Sequence, residues 1–499
     1  MNNSIKIKLS VYGILSCISY IYLIMQPRPG ISVPIFMMIQ LISIIYTIKG
    51  NKDIKNKYGI AMFIPIIIIS LNYCMSGSYL FKCLNMTVIT VLYSTMILII
   101  NNRIATDKMS FDFILNIIAN LFAPFINFFV PFKWIKISHN DGVKYKVRQI
   151  ICGVLISVPC VLFLFMMLSS ADMIFSEIVS SKLEWISSLF NSEYMYKVIF
   201  GAFVGLYLFG HIYNVFPKNE QERTDIQKTA ELTSNKIIKG DIIVINILLV
   251  SILAVYTMFV IIQFRYLFSG SEIPYGLNYS QYARRGFFEL IFLSILNLGL
   301  ILISVYLLKD KLYDYNLKWS KITLTLLLYL CLITFILLVS SFYRMMLYDK
   351  EYGYTRLRII VYLFLMFEAS GLIATIKFIL KPNFNIILIY ALIGLIYYMT
   401  LNVIQIDNII AKRNIDMYFD KQTESIDINY LMNLSVDAAP QIMRLLESEE
   451  TDFITKCQAK EYFINLNMIY NDTKFSWQNY NFSIEKSYKT IQKNIEKLQ

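Results

Sequence analysis

The chain has 499 residues, of which 57% are hydrophobic and 16% charged, and a net charge of +12. Soluble domains carry about 25% charged residues, so this composition excludes the string of soluble domains that length alone would suggest. Nothing in it resembles a nucleotide loop or a catalytic constellation, so a non-enzymatic protein is the favoured reading, and no cofactor is expected.

From the N-terminus, apolar runs near bilayer-crossing length fall at roughly 9–26, 31–48, 58–75, 83–100, 150–169, 196–215, 242–263, 287–308, 322–341, 358–378 and 385–404. They are continuous rather than alternating, which predicts helices and not a barrel. Lys6 and Lys8 precede the first run as in a signal peptide. No small-residue cleavage site follows, and the run ends in a Pro-Arg-Pro-Gly turn at 27–30, so it reads as an uncleaved span. The segment 111–134 is apolar and aromatic but interrupted by Pro124 and Pro131. It reads as a helix lying in the membrane interface.

The loop 170–195 is amphipathic and net acidic, and 216–241 mixes Lys and Glu as a solvated connector does. The tail shows helical spacing from Ile426 to Leu446, with Pro440 as a helix-ending signal. The expected fold is all-α: a polytopic bundle of about eleven transmembrane helices with a small C-terminal helical domain. Its divisions are 1–149 (four spans and the interfacial helix), 150–404 (seven spans) and 405–499 (the C-terminal domain).

Lysine sets the orientation. With the N-terminus inside, the inner segments hold 24 of the 46 Lys and Arg residues, the outer loops 11 and the tail 11. That bias follows the positive-inside rule and puts the tail on the outer side of the membrane. The positive charge implies contact with anionic lipid, and nucleic acid need not be invoked. Cys74 and Cys83 flank one outer loop and are spaced to permit a bridge. His139 and His211 are too distant for a zinc cage, and no metal site is expected.

Arginine is distributed differently. Seven of the twelve arginines but only four of the 34 lysines fall in outer loops. Guanidinium offers a planar fork for carboxylate or phosphate, where ammonium is a point charge. Arg284, Arg285 and Glu289 open the eighth run, with Arg285 and Glu289 four apart on one helix face. Arg344, Tyr348, Tyr352, Arg356 and Arg358 join the ninth and tenth runs on the same side. Two readings stay open: an anion-binding pocket, or snorkelling arginines paired with Glu289, Asp349 and Glu351 to anchor helix ends.

Glu368 sits mid-way along the tenth run. An intramembrane acid is a functional candidate by default, and the alternatives are an ion pair or a protonated carboxyl bonded to a neighbouring helix. Gln40, Asn246, Asn297 and Asn402 read as glue between helices, and His211 as a hydrogen-bonded interface residue.

Several stretches carry a family resemblance: Tyr282-Ala-Arg-Arg-Gly-Phe-Phe-Glu-Leu290, Ser341 to Arg358, Ser169-Ser-Ala-Asp172, Ile410-Ala-Lys-Arg-Asn414, Ile426-Asp-Ile-Asn-Tyr-Leu431, Leu434-Ser-Val-Asp-Ala-Ala-Pro440, and Trp477 with Asn481 and Ser483. They resemble a family of bacterial multi-spanning proteins filed as domain of unknown function forty-one seventy-three, with a sister family, forty-one fifty-three. The resemblance covers roughly 150–490 and departs at Asp407-Asn408, where an Asp-Pro step is expected. It implies no activity and no catalytic residues. It does place Arg285, Gly286, Arg344, Tyr348, Gly353, Thr355 and Arg356 on motif positions.

The expectation is a membrane protein whose outer Arg/Tyr cluster binds an anionic lipid headgroup or envelope polymer, or a membrane protein partner, for sensing or scaffolding. The alternative is a transporter or lipid flippase using Glu368 and the outer arginines. A membrane-embedded transferase with Asp172 or Glu289 as base is the weakest reading, since no second acid accompanies either.

Overall fold

The structure is a computed structural model. It describes residues 3–48, 57–100, 111–134, 193–214, 240–263, 287–313, 318–381, 384–422, 425–472 and 476–494. The expected span 150–169, Asp172, His139, Arg265, Arg284 and Arg285 lie outside the described residues, as does nearly all of the 216–241 connector.

The described chain is helical, with no strand. Its longer membrane-region helices are α1 (Asn3–Leu23), α2 (Ser32–Ile48), α3 (Phe63–Met75), α4 (Tyr79–Ile100), α5 (Phe111–Ile126), α6 (Glu193–Tyr213), α7 (Ile242–Gln263), α8 (Phe287–Leu307), α9 (Lys318–Tyr352), α10 (Arg356–Leu380) and α11 (Ile386–Val403). The tail forms α12 (Ile406–Phe419), α13 (Ile428–Met432), α14 (Ala439–Glu447), α15 (Phe453–Asp472) and α16 (Phe482–Lys493).

Eight of the described helices are long and apolar enough to cross a membrane: α1, α4 and α6 to α11. The expected runs 31–48 and 58–75 fall on shorter apolar helices. The 17 residues of α2 reach about 26 Å at 1.5 Å per residue, short of a bilayer core of about 30 Å. The protein is thus a polytopic helical bundle, a multi-pass membrane protein.

Its burial is inverted relative to a soluble fold. On α1, Ile7, Val11, Ile14 and Ile18 face outward while Tyr12, Ser16 and Ser19 face inward. With lipid outside, apolar surface needs no shelter, and polar groups go inside to find partners.

Packing groups the membrane helices around two cores. The first joins α1 to α4 with α6, through Leu9, Ile44, Ile66, Met96, Phe209 and Ile212. In it, α1 and α6 come close at Gly205, where a Cβ would lie 2.8 Å from the Cys17 Cβ and 3.0 Å from the Gly13 carbonyl. Gly201 one turn earlier completes a small-xxx-small face. Gln40 works as expected: its Oε1 accepts from Tyr12 at 2.8 Å and Ser16 at 2.9 Å.

His211 does not behave as expected. It is fully buried, and neither ring nitrogen has a hydrogen-bond partner among the described residues. Its ring meets Tyr207 edge to face at 4.7 Å, so an aromatic cage takes the place of hydrogen bonds.

Helix α5 runs through Pro124, which the sequence reading took as an interruption, and packs on both α4 and α6. Asn120 donates to the Ser94 Oγ at 2.9 Å, and the Tyr207 hydroxyl donates to the Leu121 carbonyl at 3.0 Å.

The second core joins α7 to α10 through Leu249, Ile301, Leu327, Leu330, Leu337 and Leu372. Asn297 Oδ1 accepts from Tyr256 of α7 at 2.8 Å, and its amide donates to Thr334 of α9 at 3.2 Å. Asn246 Oδ1 accepts from Thr323 at 2.7 Å. Helix α11 bridges the two cores. Its Asn402 Oδ1 accepts from Asn85 at 2.6 Å and its carbonyl from Asn72 at 2.8 Å.

Two further readings of the sequence need correction. Helix α9 runs 35 residues, about 52 Å, instead of stopping at 341. Arg344 and Tyr348 are therefore helical, not loop, because no breaker precedes Gly353. That glycine ends the helix with φ +71 and its amide bonded back to the Asp349 carbonyl at 2.9 Å. Pro440 begins α14 rather than ending a helix, at the first turn where its missing N–H costs nothing.

Candidate functional site at the junction of the spans and the C-terminal domain

Three turns of the membrane region bond the tail, through backbone groups, short polar side chains and Arg356, beside an apolar cluster in which Phe81 and Leu401 meet Ile406, Ile410 and Leu431. The first follows α1, where the Gly30 amide donates to the Gln478 carbonyl at 3.2 Å and the Ile31 amide to the Tyr480 carbonyl at 3.0 Å. The second joins α3 to α4 and converges on Asp437. Its Oδ1 accepts from the Gly77 amide at 2.8 Å and from the Ser483 hydroxyl, and its Oδ2 from the Ser76 hydroxyl at 2.9 Å. A side chain at Gly77 would place its Cβ 2.5 Å from Val436, so the close approach requires glycine. Asn481 caps α16 and donates to the Tyr73 and Ser76 carbonyls, both at 2.9 Å.

The third turn, between α9 and α10, carries the arginines. The Tyr354 amide donates to Asn414 Oδ1 at 2.7 Å, and the Asn414 amide returns a bond to the Tyr354 carbonyl at 2.9 Å. Arg356 opens α10 and forks onto Asp407, Nε to Oδ1 at 2.6 Å and Nη2 to Oδ2 at 2.7 Å. Its own amide donates to the Tyr430 hydroxyl at 3.0 Å. The Ser435 amide adds a third bond to the Asp407 carboxylate at 2.9 Å. Burial pushes the Asp407 carboxyl upward, but the bonds from Arg356 and Ser435 outweigh it and hold the group below the usual carboxylate range.

Arg358 lies over the Tyr348 ring at 4.1 Å. Its Nε is 3.4 Å from the buried Asp349 carboxylate, and it donates to the Gly353 carbonyl. Tyr352 packs beside Tyr348 with ring centroids 4.8 Å apart. Arg344 is buried in α9 one turn before Tyr348. The anchoring alternative therefore describes Arg358 and Asp349 well. For Arg356 the anchor is Asp407, across the domain boundary.

The remaining candidates sit elsewhere. Glu289 is on the exposed face of the first turn of α8, beside Phe288 and Phe292, and makes no hydrogen bond to the junction residues described. Glu368 is inside the second core, with Oε1 2.6 Å from the Ser294 hydroxyl of α8. Cys74 and Cys83 are both free.

Sequence reasoning missed Asp407, Asp437, Asn414 and Tyr430 as working partners. The signal was present, since Asn414, Tyr430, Asp437, Asn481 and Ser483 all lie in the stretches that carry the family resemblance. Those stretches are where the tail touches the membrane region.

A family model described as Domain of unknown function (DUF4153) matches residues 63–445. The chain belongs to this family. It is the family named above as the sister of the first resemblance. The match starts at α3 and ends within α14, so it takes in more of the N-terminal helices than expected and stops short of α15 and α16. No curated protein and no solved structure matches the chain.

Proposed function

We propose that this DUF4153 protein is a non-enzymatic membrane scaffold or sensor in the bacterial cytoplasmic membrane, with its tail outside. The junction of spans and tail would recognise an anionic envelope component. The observation that carries this reading is the posture of Arg356. Its carboxylate partner is 4% exposed, whereas the guanidinium side chain is 36% exposed. Two of its five N–H groups serve Asp407, and three remain for a ligand.

Two residues on along α10, Arg358 lies over the Tyr348 ring, with Tyr352 packed beside that ring at the end of α9, which adds a cation and two aromatic rings to the α9–α10 junction. Such a junction suits a phosphate or carboxylate headgroup. Binding there would be transmitted directly to the tail, since Arg356 also holds Asp407. An anion that competes for the fork loosens the tail, and one that takes only the spare N–H groups strengthens it.

The test uses purified full-length protein and short-chain lipids. Phosphatidylglycerol raises the melting temperature and phosphatidylcholine does not. Arg358→Lys, which keeps the charge but loses the planar stack, reduces the difference. An equal response to both headgroups, or an unaltered difference in the variant, overturns the proposal.

A further inference from the structure

The second core sets one serine hydroxyl between two oxygen acceptors, one of them a buried acid. Ser294 Oγ lies 2.7 Å from the Ile291 carbonyl oxygen and 2.6 Å from Glu368 Oε1. A serine hydroxyl has one proton to donate, and the carbonyl can only accept. A carboxyl that supplies its own proton, running from Glu368 to Ser294 and from Ser294 to Ile291, satisfies both short contacts in full. With an ionised carboxylate, the one hydroxyl proton is shared between two acceptors in weakened three-centre bonds, or serves only one of them.

The surroundings agree. Glu368 is 7% exposed, and its second oxygen has no hydrogen-bond partner among the described residues. It is the thirteenth of the 25 residues of α10, mid-way along a helix of spanning length. Among the described residues, the helices packed on α10 bring no cation to it. Helix α8 offers Ser294, and α9 the free thiol Cys331. Helix α11 offers the Tyr390 hydroxyl, 2.6 Å from Thr375. Helix α12 carries Asp407, already bound to Arg356 about 18 Å along α10. A bare metal cation would want several more oxygens than Ser294 provides.

We propose that Glu368 and Ser294 form a mid-membrane proton-binding site. The proton taken up joins a carboxylate oxygen. On its release the Ser294 hydroxyl turns from the Ile291 carbonyl to the carboxylate. The site lies where this change is felt: Ser294 and Asn297 are one turn apart on α8, and Asn297 bonds both Tyr256 of α7 and Thr334 of α9. One proton is thus linked to the polar contacts of all four helices of this core. The inference is independent of the anion-binding proposal and rests on different residues.

The test begins with wild-type protein in membranes and dicyclohexylcarbodiimide, an apolar reagent for protonated carboxyls. The carboxyl O–H adds across a C=N bond, and the acyl group then migrates to nitrogen, leaving a stable N-acylurea that peptide mass spectrometry locates. Labelling of Glu368 is expected at neutral pH, falling as pH rises and unchanged by sodium at fixed pH. No labelling at neutral pH overturns the proposal, and protection by sodium overturns it in favour of a metal cation.

Infrared difference spectra between wild type and Glu368→Gln give a second reading. They should show the carbonyl stretch of a protonated acid at neutral pH, displaced in Ser294→Ala. A carboxylate band at neutral pH overturns the proposal. The labelling arm requires no variant to fold.

Discussion

Removing the Asp437 carboxylate tests how much of the tail's attachment rests on a few buried bonds beside the apolar cluster it shares with Phe81 and Leu401. Asp437 is buried and receives the Gly77 amide, the Ser76 hydroxyl and the Ser483 hydroxyl. Hydrogen bonds to a charged group contribute about 1.5–3 kcal/mol each. Three do not add in full, because hydroxyls rotate and water enters the gap, and single substitutions rarely exceed about 4–5 kcal/mol. Asp437→Ala should therefore cost about 3–4 kcal/mol of docking free energy, or about 100- to 1,000-fold in the docked ratio.

Asp437→Asn should be much milder. Its oxygen can still accept from Gly77 and Ser483, and its new N–H can donate to the Ser76 oxygen, so about 1 kcal/mol is lost. Hydrogen exchange of the full-length protein in lipid nanodiscs reads this at the Gly77 amide and across 478–488. Exchange there should quicken strongly in the alanine variant and slightly in the asparagine variant, with the interior of α8 and α9 unchanged. An alanine variant that exchanges at Gly77 like wild type, or an asparagine variant as damaging as alanine, refutes the reasoning.

Other expectations follow from the same geometry. Because the Asp407 carboxyl is held below its ordinary value, its contribution is fully present above the unfolded value of about 3.9 and is lost as pH falls through the lower folded value. Docking, followed by proteolysis of the tail, should therefore be flat from neutral pH to about 4 and fail only in stronger acid. Arg356→Lys swaps a two-pronged fork for a point charge and should cost about 2 kcal/mol, seen as a lower melting temperature. Gly353→Ala forces a side chain into the left-handed region at about 1–2 kcal/mol, and its Cβ would sit 2.8 Å from Asn414 Oδ1. Gly205→Leu should separate α1 from α6 and cost about 1–3 kcal/mol, read by cross-linking between Cys17 and a cysteine introduced on α6.

Much of the membrane architecture could be read without coordinates. Long continuous apolar runs can satisfy their backbone in lipid only as helices, which is why α1, α4 and α6 to α11 fall on eight of the expected runs. The inward role of Gln40, Asn246, Asn297 and Asn402 was legible too, since lipid offers such side chains no partner. The length of α9 was not. Hydropathy falls once charged residues enter at Arg344, but a helix needs no apolar surface once it is stabilised by the tail, and it continued to Gly353. Pro440 was misread because proline marks either end of a helix, and only the neighbouring packing decides which.

The candidate site shows the same division. The sequence alone determined that arginines cluster between the ninth and tenth apolar runs, that Glu368 falls mid-way along an apolar run, and that the motif stretches are short and polar, all properties of spacing along one chain. The three-dimensional packing decided their partners. Arg356 meets Asp407 across 51 residues, Asp437 meets Gly77 across 360, and Glu368 meets Ser294 across 74. A local pattern fixes which face of a helix a side chain occupies. Which distant helix covers that face depends on how all the faces pack together.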